Sequence, residues 1–338
     1  MAEGTRTARP IPFAYKLTAG ILFFAAMFFV SMVLGAAHTS VRDVWLAITT
    51  NRPGESLDIL RDIRLPREIA AIFVGAALAV SGAAMQGMTR NPLADPGLLG
   101  LTAGANAALA LTIALVPAAN YFWITVACFI GAAAGSLLVL GVGAAKKGGF
   151  SPLRIVLAGS AISAFLYAAA EGIGLAFKIS KNVSMWTAGG LIGASWEQLQ
   201  VIVPFIAVGI LAALALSKQL TILSLNEDVA VGLGQRTAFI KAALFLVTVL
   251  LAGASVSLVG NLTFLGLMIP HIVRAIVGTD YRFVVPMSAI AGASFMLMAD
   301  TLARTLNAPY ETPVAAIVAV VGLPFFLFIM RRGGKLIR

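Results

Sequence analysis

The chain has 338 residues, of which 60% are hydrophobic and only 11% are charged, and its mean hydropathy is +0.96. Soluble globular proteins carry more than twice this share of charged residues, so the composition excludes that class and indicates an integral membrane protein. The net charge is +10, but no basic block is interleaved with base-stacking aromatic residues, which favours anionic lipid over nucleic acid as a partner.

Apolar segments of roughly membrane-spanning length follow one another along the chain. The ten predicted segments are 17–37, 68–86, 98–116, 122–145, 155–177, 198–216, 237–259, 262–277, 283–306 and 313–330. The expected fold is therefore one all-α membrane domain over residues 1–338 with ten transmembrane helices. A weak similarity between 74–104 and 246–278 suggests two inverted-repeat halves, as in many transporters.

The distribution of basic residues predicts the orientation of these segments. An even number of spans places both termini on one side, and Lys and Arg concentrate on the cytoplasmic side. With both termini in the cytoplasm, that side holds 16 of the 24 basic residues and carries a charge of +11, against −1 outside. The cytoplasmic regions are then the N-terminus 1–16 and the segment 217–236. A loop at 38–67 and a short interfacial helix within 178–197 are expected outside.

Arginines cluster at the end of the outside loop, where Arg61, Arg64 and Arg67 lie three residues apart. Near the outer end of the ninth segment, Asp300 and Arg304 are one helical turn apart and can pair with each other. Alternatively, Arg304 joins Arg64 and Arg67 in a basic rim that faces an acidic partner. The sequence leaves both interpretations open.

Two further features within or between the apolar segments could serve transport. The cytoplasmic turn 87–97 contains two prolines and two glycines, and such irregular backbone is tolerated in a membrane only where protein buries it or where it lines a water-filled path. A path and a passive turn are equally compatible with it. Glu171 is either a path residue or an acid close enough to the outer interface to be solvated. Glu311, just before Pro313, is expected to stabilise the start of the last segment.

The polar segment 217–236 predicts a short capped helix. Asn226 can cap its N-terminus, Glu227 adds negative charge to the first turn, and Gly234 is placed to end it. Three apolar residues recur at intervals of four and share one predicted face: Leu225, Val229 and Leu233. This face either lies on lipid or docks against another protein.

Several function classes lack their sequence requirements. No nucleophile, base and orienting residue form a recognisable set, and two histidines, one of them His271, do not supply a metal site. No G-x-x-x-x-G-K-[ST] loop is present, so the chain is not expected to bind ATP by that route. We therefore expect a protein without enzymatic activity or cofactor. ATP-driven transport would require a separate ATPase subunit.

Six motifs in this order resemble the FecCD-type permease family, the membrane subunits of ATP-binding-cassette (ABC) importers for ferric siderophores, haem and cobalamin. They are RLPR at 64–67, GAAMQGMTRNPLADPGLLG at 82–100, the stretch 225–234, FLGLMIPHIVR at 264–274, ADTLAR at 299–304 and ETPV at 311–314. The resemblance covers nearly the whole chain. Thr312 and Ala315 replace the usual Leu and Gly, and both changes are mild.

The resemblance implies a type II ABC importer permease fold and several partners: a second permease subunit, identical or paralogous, two ATPase subunits and a substrate-binding protein. It also implies roles for individual residues. Arg64, Arg67 and Arg304 would meet glutamates of the binding protein. A cytoplasmic gate would contain Asn91, Leu93, Ser151 and Pro152. The contact with the ATPase would use Leu225, Asn226, Glu227, Val229, Leu233 and Gly234.

The expected function is a permease subunit, in a bacterial cytoplasmic membrane, that forms the path for a ferric siderophore delivered by a binding protein. The siderophore is expected because most members of the family carry one. Cobalamin and haem are the alternatives within the family. A secondary transporter coupled to ions through Glu171 and Asp300 is the alternative outside it, although neither acid is expected near the membrane midplane beside a broken helix.

Overall fold

The computed structural model describes residues 11–35, 39–144, 152–308 and 310–332, and within these ranges it contains helices and no strand. The helices are α1 (Phe13–Val33), α2 (Val41–Thr49), α3 (Glu55–Ile59), α4 (Leu65–Thr89), α5 (Leu101–Leu115), α6 (Tyr121–Ala144), α7 (Pro152–Ala176), α8 (Ser180–Thr187), α9 (Trp196–Ala215), α10 (Ser217–Leu225), α11 (Glu227–Gly232), α12 (Thr237–Val259), α13 (Leu265–Val277), α14 (Tyr281–Thr305) and α15 (Val314–Arg332). A π-helical turn, Leu60–Arg64, joins α3 to α4, and a 3₁₀ turn, Pro96–Leu99, precedes α5.

The expected all-α architecture is confirmed, and each predicted apolar segment overlaps one of these helices. Seven helices in the described ranges are long and apolar enough to cross a bilayer: α1, α4 with the turn before it, α6, α7, α9, α12 and α14. The apolar helices α5, α13 and α15 are shorter. Two of them are short because a 3₁₀ turn and Gly100 occupy residues 98–100 of one predicted segment, and non-helical backbone occupies residues 262–264 of the other. Length and composition therefore give seven spans where the sequence predicted ten.

Helix α4 lies at the centre of the bundle, where it packs against α12, α13 and α14. Small residues permit this packing. A Cβ atom at Gly82 would lie 1.8 Å from the carbonyl oxygen of Gly266, and one at Gly75 would lie 2.3 Å from that of Gly292. Gly131 makes a similar contact with Gly104, so this glycine pair joins α6 to α5 within the chain. Only 11% of the apolar window of α1 is buried, and this helix lies at the periphery.

The stretch 38–67 was expected outside the membrane, which remains a prediction, and its described residues 39–67 contain helices that the sequence analysis did not predict. The helix α2 begins there because Ser40 and Asp43 form a reciprocal capping box. A small apolar core then holds the stretch together, and its members are Met32, Val44, Ala47, Leu57 and Leu60. The chain enters α4 through the π-helical turn without leaving helical geometry.

The bundle has two ends with different chemistry. We call the end that contains Arg64, Arg67 and Arg304 the arginine end, and the end that contains α10 and α11 the coupling end. Lys16 at the start of α1 donates to the carbonyl oxygen of Ile276 near the end of α13, 2.6 Å away, and Asp280 just after α13 accepts from the hydroxyl of Thr221 in α10, which places the start of α1 at the coupling end. The short helix α8 forms within 178–197 as predicted. Its interfacial position remains a prediction.

Candidate functional site

The antiparallel packing of α4 and α14 brings Arg67 beside Asp300 at the arginine end. Its Nε and Nη2 atoms donate to the Asp300 carboxylate at 2.9–3.1 Å. The remaining nitrogen, Nη1, donates to both oxygens of Glu311, at 2.8 and 3.0 Å. Arg67 therefore joins α4 to α14 and to the segment that precedes α15.

Arg304 extends this network toward α1. Its Nη2 atom lies 2.5 Å from Oε1 of Glu68, and its Nε atom lies 3.0 Å from Oδ2 of Asp300. The hydroxyl of Ser31 also donates to Glu68. The predicted pairing of Asp300 with Arg304 is confirmed.

Arg64 completes the arginine cluster from the π-helical turn. Its Nη1 atom donates to the carbonyl oxygen of Met32 at 2.7 Å and to the hydroxyl of Thr39 at 2.6 Å. All three predicted docking residues therefore lie together and make contacts within the chain.

The arginine cluster is buried and its charge is balanced. Arg64, Arg67 and Arg304 are 5–7% exposed, so they do not form the exposed basic rim considered from the sequence. Burying charges is unfavourable unless each is paired, and this chain supplies its own acids. The side chains of Glu68 and Asp300 are 0% exposed, whereas that of Glu311 is 35% exposed. The docking role of the arginines remains a prediction.

Glu68 was missed in the sequence analysis, which assigned it only to the beginning of an apolar segment. The available signal was an acid directly after Arg67 and inside that segment, because acids in apolar segments usually have a charged partner. Glu311 was interpreted as a helix-start charge. The structure shows instead that it pairs with Arg67, on a helix distant in sequence.

The predicted capped helix at the coupling end is α11. Oδ1 of Asn226 accepts from the backbone N–H of Asp228 at 2.8 Å, and Gly234 adopts φ +78° just after the helix, so the predicted cap and stop are confirmed. One detail was wrong. Residues 217–225 form a separate helix, α10, because Asn226 has extended backbone, and Leu225 therefore ends α10 rather than sharing a face of α11.

The three predicted contact residues are nevertheless exposed at this end. Leu225 is 70%, Val229 47% and Leu233 66% exposed. Val231, which the sequence analysis did not single out, is 56% exposed. Apolar side chains on two consecutive short helices thus face away from the bundle.

Glu227 connects α11 to two other elements. Its carboxylate lies 2.5 Å from Nζ of Lys241 in α12 and 3.9 Å from Nη2 of Arg90, the C-cap residue of α4. The hydrogen bond from Lys241 lowers the pKa of Glu227 below its ordinary value, so this carboxylate is ionised at neutral pH. Arg90 is also the first residue of the irregular segment 90–95. This segment therefore begins at a residue that contacts α11.

The predicted gate residues are only partly described. Asn91 and Leu93 are exposed in the segment after α4, and Oδ1 of Asn91 accepts from the backbone N–H of Leu93 at 3.0 Å. Ser151 lies outside the described residues. Pro152 is the first residue of α7, but the structure does not describe its side chain. Glu171 is exposed on α7. The gate and the path both remain predictions.

Comparison with known proteins agrees with the fold and the motifs. Residues 22–332 match the model of the FecCD transport family. The chain belongs to this family. It is 42% identical over 327 residues to the Iron(3+)-hydroxamate import system permease protein FhuB of Bacillus subtilis (strain 168), covering 96% of this chain and 85% of that protein. It is 38% identical over 308 residues to the Hemin transport system permease protein HmuU of Yersinia pestis, covering 88% and 90%.

A solved structure shares the fold of this FecCD chain over nearly its whole length. It shows an inward-facing conformation of a metal-chelate type ABC transporter, with a TM-score of 0.82, 25% sequence identity, and coverage of 95% of this chain and 99% of that one. The helices described above therefore form an ABC transporter permease fold.

Proposed function

We propose that the chain is the permease subunit of an ABC importer and forms the path for a ferric siderophore. The observation that carries this proposal is the exposed apolar surface of α10 and α11 on the end of a FecCD-family bundle. In an importer this surface would be covered by an ATPase subunit. The complex would contain two permease subunits, two ATPases and a substrate-binding protein, in a bacterial cytoplasmic membrane with both termini in the cytoplasm.

The proposal includes ten spans per subunit in two inverted-repeat halves. The seven long helices supply seven spans, and α5, α13 and α15 supply the other three. An even number is required for both termini to lie on one side. Part of the irregular backbone that shortens α5 and α13 is buried, including Leu99, Gly100 and Gly260, and such backbone within a membrane must be buried in protein or line a water-filled path.

The relatives favour a ferric siderophore as the cargo. The hydroxamate permease is 42% identical and the haem permease 38% identical, with larger coverage of this chain for the former. Haem is the second candidate because that relative also aligns along most of its length. The two cargoes share the need for a wide path and differ in chemistry.

Coupling would begin at α10 and α11. Closure of the ATPases would move Leu225, Val229 and Leu233, and the contact of Glu227 with Arg90 would transmit that movement to Asn91 and Leu93 at the gate, opposite Ser151 and Pro152. Asn226 and Gly234 would maintain the shape of α11. Glu171 would line the path on α7. On the other side of the membrane, the arginine cluster would receive the binding protein.

Uptake by a reconstituted complex tests the function. We expect proteoliposomes that contain the permease, its ATPase and its binding protein to accumulate radiolabelled iron from a ferric hydroxamate siderophore only when ATP is supplied. An excess of haem should not compete. Uptake that continues without the ATPase and follows a proton gradient would contradict the importer and favour an ion-coupled transporter.

A further inference from the structure

Arg67 divides its guanidinium group between two acids in different environments. One edge, Nε and Nη2, faces Asp300, whose side chain is 0% exposed. The third nitrogen, Nη1, faces Glu311, whose side chain is 35% exposed. Arg67 itself is only 7% exposed, so Glu311 lies between a buried cation and the solvent.

Glu311 also belongs to the short connection between α14 and α15. It lies two residues before Pro313, and α15 packs mainly on α13 and α14. Around it, the backbone N–H of Thr312 donates to the carbonyl oxygen of Ala303 at 3.0 Å, and that of Tyr310 donates to Asn307 at 2.9 Å. The ion pair with Arg67 is thus a side-chain link between this segment and α4.

The acids of the arginine cluster differ in whether their carboxylates can separate from the arginines without leaving a buried charge unpaired. Removing Asp300 or Glu68 from its arginine would leave an unpaired charge in a buried site, which is strongly unfavourable. Glu311 can instead turn into solvent, provided that another carboxylate takes its place on Nη1. Such an exchange keeps Arg67 paired throughout and replaces one charge-assisted, two-oxygen contact with another.

We propose that Glu311 occupies, in the undocked permease, the position on Arg67 that a carboxylate of the substrate-binding protein takes on docking. This inference rests on the proposed docking role of the arginine cluster. It identifies Nη1 of Arg67 as the contact atom and Glu311 as a competing internal ligand. Docking would then release the segment 310–313 and the start of α15, which couples arrival of the binding protein to a movement in the permease.

Glu311→Gln tests the competition. The variant removes the internal carboxylate, so the complete transporter in nanodiscs should bind the binding protein that supports its uptake more tightly, with a Kd about 3- to 10-fold lower. The matched control is Glu55→Gln at the same end, because Glu55 is exposed and forms no ion pair with any described residue. It removes the same charge without releasing Arg67, and its Kd should remain near that of the wild type.

Arg67→Lys separates failure of this inference from failure of the docking role. Lysine retains a charge beside Asp300 and lacks the planar fork, so docking should weaken, and adding Glu311→Gln should no longer tighten it. If Arg67→Lys weakens docking but Glu311→Gln behaves like Glu55→Gln, the competition is wrong and the docking role stands. If a correctly assembled Arg67→Lys complex docks as the wild type does, the docking role itself is wrong.

Hydrogen exchange supplies a readout that a purely structural ion pair would not change. Addition of the binding protein should increase exchange at the backbone amide of Thr312, because release of Glu311 loosens the bond to Ala303. In Glu311→Gln this amide should exchange faster before the partner is added. Unchanged or slower exchange on docking in the wild type would overturn the proposed release.

Discussion

The two ends of the bundle present opposite surfaces to their surroundings. At the arginine end, Arg67 and Arg304 are buried and paired with acids of the same chain. At the coupling end, Leu225 and Leu233 are about two-thirds exposed and are not covered by the bundle. The charged groups at the arginine end are paired within the chain, whereas the apolar groups at the coupling end are not covered by it.

This difference indicates two kinds of association. Exposed apolar surface is unfavourable in water by about 25 cal/mol per Å², so the surface of α10 and α11 suits a partner that covers it permanently. A balanced, buried charge network has no comparable need for a partner. A protein that docks on this network must replace the internal carboxylates of the chain with its own. This replacement gives specificity and register with little net gain in affinity. Such exchange suits a transient partner.

Asp300→Asn should have the largest effect on the arginine end. Asp300 contacts both Arg67 and Arg304 and is fully buried, so its loss leaves two buried cations with too few acids. Breaking a buried ion pair typically costs about 3–5 kcal/mol, so we expect a strongly lowered Tm and poor membrane yield. Thermal unfolding of the detergent-solubilised permease measures this.

Asp62→Asn is the matched control for this change. Asp62 lies in the π-helical turn at the same end and is exposed. Its Tm should remain close to that of the wild type. Equal stability of the two variants would show that the network does not hold the helices together, and the contrast between the two ends would lose its basis.

Combined Val229→Asp and Leu233→Asp should separate the coupling end from its partner without unfolding the bundle. Both side chains face solvent in the isolated chain, so charges there are tolerated until an apolar partner must cover them. We expect the ATPase to be lost on co-purification and ATP-driven uptake to fall to background, while the Tm of the permease changes little.

Ile48→Asp with Ile63→Asp is a control of comparable exposure at the opposite end, with values of 49% and 61%. This pair should leave co-purification of the ATPase intact. Loss of the ATPase in both double variants would mean that any charge on an exposed apolar residue is disruptive, and retention in both would remove α11 from the contact.

The sequence predicted those parts of the fold that depend on local patterns. Apolar length located every long helix, and the cap at Asn226 followed from a side-chain oxygen that accepts from a backbone N–H two residues further along the chain. It failed where tertiary contacts decide. The helix around Val44 was not predicted, because its short apolar face is covered by residues of other elements, such as Met32 and Leu60.

The candidate site divides in the same way. Asp300 and Arg304 are one turn apart, so their pairing was readable, whereas Arg67 and Glu311 are separated by 244 residues and meet only because α4 packs on α14. A count of charges placed the arginines at one end. It could not show that Glu68 is buried among them, because burial depends on which helix covers that position.

Glu227→Gln should produce the smallest effect, a weaker attachment of α11 with the apolar contact preserved. The change removes the charge that faces Lys241 and Arg90, and ion pairs this exposed contribute little. We expect exchange protection of the α11 amides to fall about two- to fivefold at pH 7, and uptake per ATP hydrolysed to decrease by a similar factor. Asp228→Asn should change neither the exchange protection nor the uptake, because Asp228 is an adjacent exposed acid that forms no ion pair with any described residue.

The pH dependence of this difference identifies its cause. The pKa of Glu227 is lowered in the folded chain, chiefly by the hydrogen bond from Lys241, so its contribution is complete above the ordinary pKa of 4.5 and is lost as pH falls through the lowered value. The difference in protection between wild type and Glu227→Gln, measured at matched pH in the permease, should therefore be constant from pH 7 to 5 and disappear in stronger acid. A difference that persisted there would arise from the amide itself and not from the lost charge. The link from α11 to Arg90 would then have no electrostatic part, and apolar contact alone would have to carry movement from the coupling end to the gate.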